Sequence, residues 1–153
     1  MQHTIRCVFI GTQHVGKSTL LDKCSRIPRR SGPTIGIDNV LFQHKNIQFQ
    51  CWDCSGSKQF EAVVKLFVQK ANHRVYVYNT NDRQTYKPDE IPENALIVAN
   101  IKANKPPIDQ SHIPVSINDQ NSIEHLLDIM IHRFEPEEPP VVVHRKRDCC
   151  ICF

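Results

Sequence analysis

The 153-residue chain has no apolar run near the roughly 18 residues of a membrane-spanning helix, and its opening MQHTIRC has no apolar core of a secretory signal. It has no long basic stretch inside its body, and the formal charge is only +3, so a nucleic-acid surface has little support. Seven cysteines are present, at positions 7, 24, 51, 54, 149, 150 and 152, without the dense spacing of a secreted disulfide scaffold. These absences predict a protein that matures in the cytosol with reduced thiols. Cys51 and Cys54 form C-x-x-C, but no second pair stands at zinc-like spacing, which argues against metal or redox chemistry there. No internal repeat is visible, and the length suits one domain able to bury a core.

What is present begins with a nucleotide signature. Gly11 to Ser18 reads G-x-x-x-x-G-K-S. In this phosphate-binding loop, backbone N–H groups wrap phosphates, a lysine (Lys17) neutralises them and a hydroxyl (Ser18) holds Mg²⁺. Context supports the motif: IRCVFIG precedes it as a short β-branched run, and KSTLLDKC behind it begins a helix whose dipole faces the phosphates.

Strand-like segments recur at Ile5–Ile10, Val40–Phe42, Ile47–Trp52, Val75–Tyr78, Ala95–Ala99 and Ile113–Val115, alternating with several helical ones. This pattern predicts an α/β fold, with QHKN closing a hairpin that adds one antiparallel strand to an otherwise parallel sheet. Phe60, Val63, Val64, Phe67 and Val68 fall at helical spacing and are expected to be core. Ile123, Leu126, Leu127, Met130, Ile131 and Phe134 predict a second packing helix, with His125 and His132 solvated at its edges. Pro88 and Pro92 argue against a full crossover helix between the strands at Val75 and Ala95.

Two further elements complete a constellation. Asp53 ends a strand, where its carboxylate can reach Mg²⁺ through water, the Walker-B position. Gly56 follows three residues later with a backbone N–H suited to a terminal phosphate, and Thr34 upstream offers a hydroxyl able to close onto the metal when a γ-phosphate is bound.

With these motifs the chain resembles the Ras superfamily of small GTPases, and within it the Rab branch, whose TIGVDF and WDTAGQERF are similar to TIGID and WDCSGSKQF here. VYNTND, residues 77–82, is likewise similar to the family's VYDVTD. The resemblance covers about residues 4–135. It implies a P-loop G domain with a mostly parallel six-stranded sheet, one antiparallel edge strand and flanking helices. It further implies that Lys17 contacts the β- and γ-phosphates, that Ser18 and Thr34 coordinate Mg²⁺ with Asp53 behind them, and that Gly56 reads the γ-phosphate. Gly11, Gln13, His14, Val15, Gly16 and Thr19 would complete the phosphate cradle, and Asn100, Lys102, Ser116 and Ile117 would approach the base. GTP or GDP with Mg²⁺ is the implied ligand set.

The sequence departs from the pattern in places that matter. Ser57 stands where the family carries its water-orienting glutamine, and Gln13 and His14 fill loop positions usually held by small residues, which predicts slow hydrolysis. The base motif N-K-x-D is here NIKA, with Ile101 for the lysine and Ala103 for the carboxylate; TSAK is VSIN, residues 115–118. Losing the carboxylate costs base discrimination.

The G domain is assigned to residues 1–135 and a flexible Pro-rich, basic, Cys-containing lipidation tail to 136–153. Cys150-Ile151-Cys152-Phe153 fits C-a-a-X with geranylgeranyl favoured at Cys150; Cys149 is a second candidate, and the basic HRKR precedes both. The reading is a membrane-anchored GTPase-like switch on the cytosolic face of a membrane, with a cytoplasmic pool. It would act in vesicle traffic or signalling, with effectors at the switch loops, an exchange factor, a prenyl transferase and anionic lipid as partners. The alternatives are a hydrolysis-deficient adaptor displaying a fixed switch surface and, less well matched, a P-loop ATPase or small-molecule kinase.

Overall fold

The computed structural model describes residues 3–28 and 32–134. Residues assigned to the tail, with Cys149, Cys150 and the HRKR cluster, lie outside the described residues.

Six strands form one sheet: β1 (His3–Ile10), β2 (Ile37–His44), β3 (Ile47–Cys54), β4 (His73–Asn79), β5 (Leu96–Asn100) and β6 (Ile113–Val115), in the order β2-β3-β1-β4-β5-β6. All neighbours are parallel except β2 with β3, which pair antiparallel from Ile37 opposite Cys54 to His44 opposite Ile47. The hairpin turns at Lys45 and Asn46, so Gln43 and His44, expected in the turn, belong to the strand. Lys45 has a φ of 54°, as a tight hairpin connection requires.

The two faces of the sheet differ. Helices α1 (Lys17–Ser25) and α3 (Gln120–Arg133) cover one face and enclose Ile5, Phe9, Leu20, Phe49, Leu126 and Met130 among others. The helical spacing of Ile123, Leu126, Leu127, Met130 and Phe134 is realised as buried contact, with Ile131 partly buried and His125 and His132 exposed. Arg26 pairs with Glu124 at 3.0 Å, and Asp128 accepts from Lys45 at 2.6 Å. These exposed contacts add little energy; the buried face of α3 sets how it lies against the sheet.

Among the described residues the other face carries a single α-helix, α2 (Glu61–Lys70), and no residue of it is fully buried. The expected core stripe is therefore corrected: Val64, Phe67 and Val68 are partly buried, Phe60 is intermediate, and Val63 is 44% exposed. The physical reason is a missing neighbour. Parallel strands are normally joined by helical crossovers, yet residues 80–95 contain only two 3₁₀ turns, at Arg83–Thr85 and Pro88–Glu90, and residues 101–112 contain no helix. Prolines and side-chain-capped turns hold the chain instead; the Asp82 carboxylate, for example, accepts from the Gln84 N–H at 3.1 Å.

An aromatic cluster takes over the packing. The Tyr76 hydroxyl donates to the Thr85 carbonyl at 2.9 Å and accepts from the Lys87 N–H at 3.0 Å. The Tyr78 hydroxyl accepts from the Ile108 N–H at 2.8 Å and lies 3.0 Å from His112 Nδ1. Tyr86 sits against Tyr76, Tyr78 and His112 with ring centroids 5.0–6.4 Å apart. Both helix-free connections are thus tied to β4.

Cys51 and Cys54 point to opposite faces of β3, into different cores, so they cannot bind one ion together. Burial pushes the Cys54 thiol up to about 12.

Burial holds the His112 imidazole below the usual histidine range, with Asp109 opposing. An unfolded chain takes up a proton near the ordinary value where the folded chain does not. The contribution of this group is therefore complete above about pH 6.5 and is lost as pH falls through the lower folded value. Urea unfolding from pH 7.5 to 5 should show a steeper loss of stability in the wild type than in His112→Gln, which keeps a polar partner for Tyr78 without titrating.

A phosphate-loop and three-oxygen candidate site

The site is built where β1 ends. Gly11 adopts a φ of 147°, and a Cβ there would lie 2.2 Å from the Val77 carbonyl oxygen, so the chain can leave the sheet only with glycine at this point. Gly16 precedes α1 with a φ of 96°, and a Cβ on it would meet the Asn100 amide nitrogen at 2.4 Å. Both glycines of the motif are therefore required by packing as well as by any ligand. Between them Val15 is fully buried and anchors the loop in the core.

Lys17 is 6% exposed, and its ammonium donates to the carbonyls of Gly11 at 3.0 Å and Thr12 at 2.8 Å. Burial lowers its pKa to about 8, with Asp53 and then Cys54 opposing. A phosphate beside this amine would supply the counter-charge that burial makes valuable.

Three oxygens from three segments converge beside it. The Ser18 hydroxyl, on the first turn of α1, donates to Asp53 Oδ2 at 2.5 Å and lies 2.7 Å from the Thr34 hydroxyl. Thr34 in turn reaches Asp53 Oδ2 at 3.3 Å. Asp53 is fully buried near the end of β3, where a bare carboxylate is costly without compensation. Two hydroxyls and one carboxylate are hard oxygen donors, the set that suits Mg²⁺. Ser18, Thr34 and Asp53 are the residues that would hold it, and the ion would supply charge neutralisation at a bound phosphate.

The segment after β3 closes against the loop. A Cβ on Gly56 would lie 2.4 Å from the Gln13 nitrogen and 2.4 Å from the Thr12 carbonyl carbon. The Ser55 N–H donates to the Gly36 carbonyl at 2.8 Å, tying this segment to the one that carries Thr34. A pocket of about 160 Å³ results, lined by Gln13, His14, Lys17, Thr19, Thr34 and Gly56 among others.

The sequence-predicted residues thus divide. Gly16, Ser18 and the six just named line the pocket. Ser57 lines an adjoining groove instead, with its N–H on the Ser55 hydroxyl at 3.2 Å. Asn100, assigned to the base, is 1% exposed, and its amide donates to the Val15 carbonyl at 2.8 Å, so it braces the phosphate loop from behind. Lys102, Ser116 and Ile117 stand at the ends of β5 and β6, outside the phosphate pocket. Sequence reasoning missed Ser55, and also Thr80, which is 2% exposed, accepts from the Lys102 N–H at 3.1 Å and holds the Asn100 carbonyl at 3.3 Å. Both lie inside family-like stretches, WDCSGSKQF and VYNTND, but at positions where the family's WDTAGQERF and VYDVTD carry alanine and valine.

Comparison with known proteins then decides the family. The family model described as the Ras of Complex, Roc, domain of DAPkinase matches residues 6–108. The chain belongs to this Roc family of Ras-superfamily GTPase domains. As a Roc-family chain it is a divergent, Rab-like small GTPase domain. It is similar to Ras-related protein RABA6b of Arabidopsis thaliana, 36% identical over 91 residues, 56% of this chain and 40% of that protein. Ras-related protein Rab-4 of Dictyostelium discoideum is 32% identical over 90 residues, 55% of this chain and 44% of that protein. ADP-ribosylation factor F of the same organism is 27% identical over 123 residues, 80% of this chain and 63% of that protein. The Rab-like matches thus span less than half the length of those relatives.

Asn100→Ala removes a buried donor and leaves the Val15 carbonyl unpaired behind the loop. It should lower the unfolding free energy by about 1–3 kcal/mol, read from urea denaturation, even without any ligand.

Proposed function

We propose that this chain is a nucleotide switch that binds GTP and GDP with Mg²⁺, hydrolyses GTP slowly and signals through the segments carrying Thr34 and Gly56. The observation that carries the reading is the meeting of Ser18, Thr34 and Asp53 within 2.5–3.3 Å beside a buried Lys17. In this reading Lys17 and the loop N–H groups hold the β- and γ-phosphates. Thr34 closes on the metal only when a third phosphate is present. Gly56 offers its N–H to that phosphate. The Thr34 and Gly56 contacts distinguish triphosphate from diphosphate, which is what a switch requires.

Slow turnover follows from Ser57. Its hydroxyl is short, and it lines the groove rather than the phosphate pocket, so Ser57 does not replace the family's water-orienting glutamine. The same observation favours a second reading, a hydrolysis-deficient adaptor that displays a fixed surface for effectors. Base selectivity is expected to be weak, since Ala103 and Ile101 provide no carboxylate or lysine.

The C-terminal sequence supports attachment to the cytosolic face of a membrane, in vesicle traffic or signalling. A prenyl transferase would act on Cys150, with Cys149 a second candidate and Arg145, Lys146 and Arg147 adding attraction to anionic lipid. No helix among the described residues is long and apolar enough to cross a membrane. An exchange factor and switch-binding effectors complete the expected partners.

Titration with fluorescent GTP, GDP and ATP analogues in Mg²⁺ tests the nucleotide reading. Wild type should bind the guanine analogues, and Lys17→Ala should lose binding by two orders of magnitude or more, on the order of the approximately 3 kcal/mol of a charged hydrogen bond. Retained binding in Lys17→Ala contradicts the phosphate-loop assignment. Ser57→Gln should raise single-turnover GTP hydrolysis roughly tenfold if only the water-orienting amide is missing; an unchanged rate favours the adaptor. Intact mass of protein from eukaryotic cells should carry one isoprenoid in wild type and none in Cys150→Ser.

A further inference from the structure

Two thiols face each other inside the sheet. Cys7 on β1 and Cys51 on β3 are direct partners in the parallel register, and both are fully buried. Their side chains enter the same core, the one under α1 and α3, where the Cys7 Sγ lies 3.3 Å from the Cys51 Sγ. Neighbouring strands stand about 4.8 Å apart, inside the roughly 4.4–6.8 Å between Cα atoms that a disulfide spans. Side-chain rotation is thus enough to bring the sulfurs to bonding distance, with the backbone left in place. Cys24, in the last turn of α1, belongs to the same core and is 7% exposed. Burial, and then the neighbouring Cys7, push its thiol up to about 12, so it stays protonated and is a poor nucleophile. Cys54 lies in the other core, across the sheet. Among the described residues no group of three or more His, Cys, Asp or Glu side chains is placed to hold a metal ion, so the chemistry open to this pair is that of two thiols.

We propose that Cys7 and Cys51 form a reversible disulfide under a peroxide-class oxidant, locking β1 to β3 directly behind the phosphate loop. One sulfur, as thiolate, attacks a peroxide oxygen and becomes a sulfenic acid as the first water leaves. The other sulfur then attacks the sulfenic sulfur, the S–S bond forms and the second oxygen leaves as water. Each sulfur gives up one electron, the peroxide takes up two, and the two thiol hydrogens depart in the two waters. A dithiol reductant reverses the step by exchange. Position gives the bond its effect. Cys7 stands four residues before Gly11 and Cys51 two before Asp53, so the link joins the strand that enters the loop to the strand that delivers the carboxylate. Its ends are 44 positions apart and enclose Lys17, Ser18 and Thr34. Closing a loop of that length restricts the unfolded chain while keeping the folded register. The oxidant enters at the last turn of α1, where Cys24 neighbours Cys7 and the exposed Arg26–Glu124 contact holds the helix end to α3. A fully buried pair reacts only when that turn lifts, so in a reducing compartment it rests as two thiols. The inference stands on the β1–β3 register and is independent of the nucleotide reading.

Hydrogen peroxide treatment of the full chain tests this, with Cys149, Cys150 and Cys152 changed to Ser so that Cys7, Cys24, Cys51 and Cys54 are the thiols that remain. After quenching and alkylation in denaturant, two thiols should be unlabelled, and the digest should contain one disulfide-linked pair of peptides, carrying Cys7 and Cys51. Cys24→Ala should keep that link and Cys51→Ala should lose it, with circular dichroism checking that both variants are folded. In urea, oxidation should lower the unfolding equilibrium constant roughly 30- to 1000-fold, and dithiothreitol should restore it. Arg26→Ala should close the link roughly two- to fivefold faster, the worth of one exposed ion pair. Four labelled thiols in both this background and its Arg26→Ala variant, under exposure that fully oxidises an unstructured cysteine peptide, overturn the inference. A link that uses Cys24 or Cys54 instead, or an oxidised chain less stable than the reduced one, overturns it too. An Arg26→Ala rate equal to that of the parent overturns the assigned route.

Discussion

The contact on which the site depends is the convergence of the Ser18, Thr34 and Asp53 oxygens. It joins the first turn of α1, the segment leading into β2 and the end of β3, three places far apart in sequence. Each oxygen is delivered by a different constraint. Ser18 is set by the glycine-permitted loop, and Asp53 by the register that puts it opposite Phe9 on β1 and Asp38 on β2. Thr34 is held through the backbone bond from Ser55 to Gly36. A carboxylate buried among such groups is stable only with hydrogen bonds or a cation, so the geometry that favours a metal also holds the two loops together.

Support for the loop comes from the far side of the sheet. Asn100, on β5, supports the Val15 carbonyl, and Thr80 supports Asn100. In a domain whose base motif is degenerate, this asparagine still has a structural task that does not require a base. Presence of the proposed phosphate and metal residues, beside Ile101 and Ala103 where the family's lysine and carboxylate would stand, is consistent with that division of labour. The residues proposed to hold phosphate are built into the β1–α1 and β3 core, whereas those expected to meet a base stand at the less regular ends of β5 and β6.

Much of this was legible in the sequence, and the limits have physical causes. Local patterns carried the six strands, the hairpin, the G-x-x-x-x-G-K-S loop and α3, because each rests on periodicity or on a glycine that only one geometry explains. The partly exposed stripe of α2 was not legible. Val63 and Val64 have the right spacing for a core helix, and only the absence of a neighbouring crossover helix leaves the first of them in solvent. The Tyr76, Tyr78, Tyr86 and His112 cluster was equally hidden, since its members come from three segments with no shared motif. Nor could spacing reveal that Asn100 turns toward the loop, as that depends on which buried carbonyl lies opposite.

The β2–β3 side is regular, whereas the β4–β6 side trades helices for turns and aromatic hydrogen bonds, and this asymmetry leaves an open groove next to Gly56 and Ser57. The central claim, that Thr34 closes on a metal-bound triphosphate, is tested most directly by nucleotide release in stopped flow, with Mg²⁺ varied, for wild type and Thr34→Ala. The account predicts that the substitution speeds release of a non-hydrolysable GTP analogue about tenfold or more at saturating Mg²⁺ while leaving GDP release nearly unchanged. Equal acceleration of both nucleotides, or of neither, would contradict it.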